Sequence, residues 1–161
     1  YPLDRSHGGK RILDHLQDIG YHFWVNESEV VLFIVDNPIK FVMANTTNTE
    51  TYDISTKIGR CFGQLNNGQI LFVYKYTEDI WHLKAFDPTT KRSRFIAETP
   101  KGSEDFALLE GGSIIMGQGS NLLRLDAPFT SWVEIANLSS YDLGTVSRIA
   151  YRGGKLAIVG Q

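Results

Sequence analysis

The chain has 161 residues, a formal net charge of −2, and 42% hydrophobic and 21% charged residues, a composition that excludes disordered and collagen-like chains and allows either one core or a stack of small units. Its 16 basic residues are spread along the sequence rather than gathered into a stripe, which gives no electrostatic footprint for DNA or RNA, so no nucleic-acid partner is expected. No apolar run approaches the roughly 20 residues of a membrane-spanning helix, and Cys61 stands alone, so it reads as a small buried hydrophobe on a strand rather than half of a disulfide.

Tyr1–Asp4 reads as the end of a third strand of a unit and Lys10–His15 as a fourth, so the chain opens part-way through a unit and further residues are expected upstream. Lys10–Gln17 also places Ile12, Leu13 and Leu16 on one helical face, but the repeat described below favours the strand. The first full unit, 20–56, is predicted to hold strands near Tyr21–Val25, Glu29–Val35, Lys40–Asn45 and Thr49–Ile54, with Pro38 in a loop where its missing N–H costs nothing. The second, 57–99, is marked by Asn67-Gly68, which predicts a type I′ hairpin turn with positive φ at both central residues. In the third, 100–139, Gly111-Gly112 predicts the same turn, and Gly117-Gln118-Gly119 the next one. The last piece, 140–161, supplies two strands around Gly153-Gly154, where the turn glycines fall one position early.

Two repeats tie these elements together. The stretches beginning at Gly20, Gly59, Ser103 and Val146 align without gaps, and in each an apolar residue (Phe23, Phe62, Phe106, Ile149) is followed ten positions later by another (Phe33, Phe72, Met116, Val159). Independently, Asp4, Asn45, Asp87 and Asp126 are each followed nine residues later by Leu13, Ile54, Ile96 and Ile135. A period of about forty residues built only from strand and turn signals predicts β-propeller blades. The second and third strands are apolar on both faces, as sheets sandwiched between sheets must be. The fourth carry charges and hydroxyls (Thr49, Glu50, Thr51; Arg92, Ser93, Arg94), as an exposed edge should.

Catalytic signatures are sparse. No Gly-x-Ser-x-Gly elbow occurs, and Gly154-Lys155 is followed by Leu156 rather than by the hydroxyl residue of a phosphate loop. His7, His15, His22 and His82 lack close metal-ligand spacing, so no metal or other cofactor is expected. Asn26, Asn45 and Asn137 open Asn-x-Ser/Thr sequons but read as turn residues. Glu78-Asp79 and Glu104-Asp105 are sequence neighbours, which on a strand point to opposite faces, so neither pair makes a carboxylate dyad by itself. More informative are the polar residues ahead of each first strand: Tyr21 and His22, Arg60, Glu104 and Asp105, Ser147 and Arg148. In a propeller these positions gather at the mouth of the central channel, as a hydrogen-bonded plug between blades or as a small-molecule or peptide site. Two arginines among them favour an anionic ligand.

Three segments carry a family resemblance: Gly20-Tyr21-His22-Phe23-Trp24, the run from Thr77 to Pro88 (Thr77-Glu78-Asp79-Ile80-Trp81-His82-Leu83-Lys84-Ala85-Phe86-Asp87-Pro88), and Ser103-Glu104-Asp105-Phe106-Ala107. With them the chain resembles the TolB-like β-propellers, which are similar in blade logic to WD-repeat proteins, and in particular the C-terminal two thirds of bacterial exported members. Thr77 stands where those relatives carry Ser, and His82 where a second aromatic is common. The resemblance implies six blades, about two of them upstream of the four blades' worth present here, and an export signal, hence a periplasmic or secreted, cell-envelope location. It supplies no catalytic residues. The expected function is a noncatalytic binding or scaffold module for a protein, peptide, glycan or small anion, its open blade faces covered by the upstream blades or by a second chain. The alternative is a metal-dependent enzyme similar to propeller lactonases or lyases, for which Asp105 is the one candidate ligand in place.

Overall fold

The computed structural model describes residues 12–160. They form three four-stranded antiparallel sheets and one two-stranded sheet, each in consecutive strand order. The first contains β1 (Ile19–Trp24), β2 (Glu29–Ile34), β3 (Lys40–Asn45) and β4 (Thr51–Thr56). The second contains β5 (Ile58–Gln64), β6 (Ile70–Lys75), β7 (Trp81–Asp87) and β8 (Arg92–Glu98). The third contains β9 (Phe106–Leu108), β10 (Ile114–Gln118), β11 (Asn121–Leu125) and β12 (Trp132–Asn137). After a 3-10 turn at Ser139–Tyr141 come β13 (Val146–Arg152) and β14 (Lys155–Gly160). This is an all-β, blade-like propeller arrangement, and among the described residues no strand pairing closes it into a ring.

The apolar pattern explains why the sheets stack face to face. Period-two side chains send Val31, Phe33, Phe41 and Met43 of the first sheet against Ile58, Ile70, Phe72 and Phe86 of the second. The alternate residues of the second, Leu71, Val73, Leu83 and Ala85, meet Phe106, Ile114 and Met116 of the third. Ala107, Ile115 and Leu122 then meet Ile149 of the fourth. Blades approach closely where a side chain is missing: a Cβ on Gly63 would lie 2.8 Å from Leu108 Cδ1, and one on Gly117 2.5 Å from Val146 Cβ. The fourth sheet has only one covered face. Leu156 and Ile158 pack on the third blade, whereas Val159, the apolar landmark that closes the repeat, is 57% exposed.

The landmark isoleucines have a specific structural meaning. In each four-stranded sheet the register slips by one residue between the third and fourth strands, leaving Ile54, Ile96 and Ile135 without a cross-strand partner. Each is the extra residue of a β-bulge. The paired landmarks Asn45 and Asp87 open the turn before it, their Oδ1 atoms accepting from the backbone N–H of Thr47 and of Thr89 and Thr90. The same hydrogen bonding lowers the Asp87 pKa.

Several expectations need correction. The hairpins at Asn67-Gly68 and Gly111-Gly112 are not type I′: only Gly68 (φ 83°) and Gly112 (φ 84°) are left-handed. Their N–H groups donate to Leu65 O and Leu109 O across three-residue loops, the type I turn followed by a glycine bulge. The turn with positive φ at both centres is Gly153-Gly154 (φ 55° and 76°), a two-residue loop between paired Arg152 and Lys155. That shorter loop is why those glycines fall one position early. In the first unit the loop Asn26–Ser28 has no glycine and is held by Asn26 Oδ1 accepting from the Ser28 and Glu29 N–H groups. It turns one position sooner than the ungapped repeat implies, so Phe33 faces Tyr21 rather than Phe23. The fourth strand expected over Thr49–Ile54 is Thr51–Thr56. The strand expected at Lys10–His15 is absent over its described part: Asp14-His15 is a turn, and Leu13 and Leu16 instead pack on Val30, Leu32 and Ala44 of the first sheet. The strand expected at Tyr1–Asp4 lies outside the described residues.

Candidate functional site

The first strands of successive sheets lie side by side, β1 against β5, β5 against β9 and β9 against β13. Three of them depart from regular pairing. Gly20 is the extra residue in β1 and Ser147 in β13, while between Ile58 and Phe62 β5 spans four residue steps against two on β6. Bulges re-aim side chains, and each here sits within or directly before a polar residue singled out by the sequence. Tyr21, His22, Arg60, Asp105 and Arg148 consequently surround one cavity of about 370 Å³.

The channel mouth is tied together by polar contacts between sheets. Asp105 Oδ1 accepts the backbone N–H of Ile149 at 2.7 Å, and Asp105 Oδ2 lies 3.6 Å from Arg148 Nη1, an ion pair too long for a hydrogen bond. Arg148 Nη2 donates to the Tyr21 hydroxyl at 3.4 Å, linking the fourth sheet to the first. Burial raises the Asp105 pKa, opposed by the Ile149 N–H and then by the Arg148 and Arg60 charges. Arg60 Nε lies 3.2 Å from Glu104 Oε1, and Glu104 Oε2 lies 2.6 Å from Lys75 Nζ. Both Arg60 Nε and Arg148 Nη1 are buried without a hydrogen-bond partner. Three cations therefore face two carboxylates.

Not every predicted residue reaches it. Glu104 stands behind Arg60 in an adjoining pocket of about 170 Å³. Ser147 lines that smaller pocket too and donates its hydroxyl to Val159 O of its own sheet. Asp105 accompanies Arg148, while the close partner of Arg60 is Glu104. Among the described residues no group of three or more His, Cys, Asp or Glu side chains could hold a metal ion. Sequence reasoning missed Lys75, whose only signal is a charge ending the apolar run of β6. It also missed the apolar wall of the cavity, formed by Phe23, Phe62, Ile149, Ala150, Ala157 and Val159. Cys61 joins that wall, its Sγ donating to Phe106 O at 3.3 Å, and burial above all pushes its pKa up to about 12.

No family model matches the chain, and no curated protein matches it. A crystal structure does: a structural-genomics protein of unknown function from Bacteroides thetaiotaomicron is similar at TM-score 0.71 and 11% identity, over 97% of this chain and 43% of that one. The likeness is one of fold, and the chain spans less than half the length of that protein. No helix among the described residues is long and apolar enough to cross a membrane.

Proposed function

We propose that this chain is part of a TolB-like, six-bladed propeller of the bacterial cell envelope, and that it acts as a noncatalytic binding module whose channel mouth takes a small anionic group. The observation that carries the reading is that Arg60 and Arg148, contributed by different blades, line one cavity. A carboxylate or phosphate between the two residues would take charge-assisted hydrogen bonds from the guanidinium edges that line the cavity. Glu104 holds Arg60 from behind, and Asp105 pairs with Arg148 at the cavity itself. The half-length match to the Bacteroides protein supports additional blades beyond these four sheets.

Thermal shift of the parent and of Arg60→Ala with acetate, phosphate and sulfate tests the reading. The parent should be stabilised by at least one anion, and the variant should keep its melting temperature but lose that response. A variant weakened by roughly 1–3 kcal/mol, in a protein whose parent responds to no anion, would make the cluster a structural plug. Arg148→Lys gives a second check, because an ammonium cannot replace a fork of donors.

A further inference from the structure

Beyond its charge, the cavity has a second character that narrows the ligand. Beside Arg60 and Arg148 it is lined by Phe23, Phe62, Ile149, Ala150, Ala157 and Val159, from three different blades. A site for inorganic phosphate or sulfate would surround its ligand with donors, and nothing apolar would be needed beside it. Here the apolar wall is larger than the polar one and includes β14, whose Ala157 and Val159 are turned away from the third blade and toward Tyr21 and Phe23. The charge balance also limits the guest. Arg60, Lys75 and Arg148 against Glu104 and Asp105 leave one positive charge over, enough to neutralise one carboxylate. The Tyr21 hydroxyl accepts from Arg148, so its own proton is available to the same carboxylate oxygen. The volume of about 370 Å³ lies within the range of about 300–1,000 Å³ typical of small-molecule sites.

We infer that the channel mouth recognises a monocarboxylate bearing an apolar body, its carboxylate between Arg60 and Arg148 and its body against the wall from Phe23 to Val159. This rests on the anion reading above and makes it more specific. A free organic acid and the C-terminal carboxylate of an apolar peptide share this chemistry.

Calorimetric titration of the parent with acetate, butanoate, hexanoate and octanoate, and with hexanamide as the uncharged match to hexanoate, tests it. Affinity should rise about fourfold per methylene, and hexanamide should not bind. Val159→Ser should flatten the chain-length series. A tetrapeptide ending in leucine, free or amidated at its C-terminus, separates the sources: a free peptide tighter than hexanoate identifies a peptide end, and the reverse order identifies a free acid, both within the inferred class. Equal affinity for all four acids would overturn this inference while leaving the anion reading intact, whereas binding of hexanamide as tight as hexanoate would overturn both. Absence of any anion response would overturn both.

Discussion

The middle strands of each blade and the strands flanking them obey different rules. Between second and third strands (β2 with β3, β6 with β7, β10 with β11) the register is unbroken, and the second strands are almost wholly buried. Every slip in register falls instead on a first strand, facing the channel, or on a fourth, facing the rim. A strand covered on both faces has no water to satisfy a displaced N–H or C=O, so its ladder must stay continuous. Strands with one side toward solvent or a cavity tolerate an extra residue, and Tyr21, Arg60 and Arg148 stand at those interruptions. Burial is concentrated in the middle strands and the polar cavity groups on or beside the first.

That division can be broken most directly by Phe72→Ala. Phe72 is fully buried in β6, with its ring centroid 4.7 Å from that of Phe41 in the first blade, and its truncation should cost about 3–5 kcal/mol in denaturant unfolding. Gly117→Ala tests the junction of middle strand β10 with channel strand β13, since its Cβ would lie 2.5 Å from Val146 Cβ. The expected loss is roughly 1–3 kcal/mol, partly restored by adding Val146→Ala. Cys61 sharpens the comparison from the channel side. Its thiol is held at about 12 in the folded protein against an ordinary 9.0, so above pH 9 the unfolded chain releases a proton that the folded one keeps. Stability should therefore fall with rising pH between those values, by about 1.4 kcal/mol per pH unit at most, and the slope should lessen in Cys61→Ala. The smallest effect is expected for His22→Ala: His22 is exposed on β1, and a change within about 0.5 kcal/mol would place it with the display strands. A loss as large as that of Phe72→Ala would erase the distinction.

What was legible in the sequence follows the same line. The blades could be read because a doubly covered strand leaves an unmistakable apolar run, as in Ile70–Val73, and because Asn45 and Asp87 initiate turns through local side-chain hydrogen bonds. The convergence of Tyr21, His22, Arg60, Asp105 and Arg148 could be read from their shared place in the repeat. Turn type could not be read from Asn67-Gly68, since a glycine in the left-handed region serves both the two-residue and the three-residue loop, and the difference lies in the φ of Asn67. The apolar wall was equally hidden. In Lys155–Gly160 both alternating sets are apolar, Leu156 and Ile158 as well as Ala157 and Val159, so no pattern announces which set faces the cavity. Lys75 was hidden for another reason, because its partner Glu104 belongs to the next blade.

The bulges at Ile54, Ile96 and Ile135 have one more consequence. A rim strand is an open row of donors and acceptors on which a strand from another molecule could dock and begin a fibril. An extra residue at the same place in β4, β8 and β12 twists each rim and breaks the even spacing of that row. The nine-residue interval from turn to isoleucine thus marks, blade after blade, the point at which the edge ladder is interrupted.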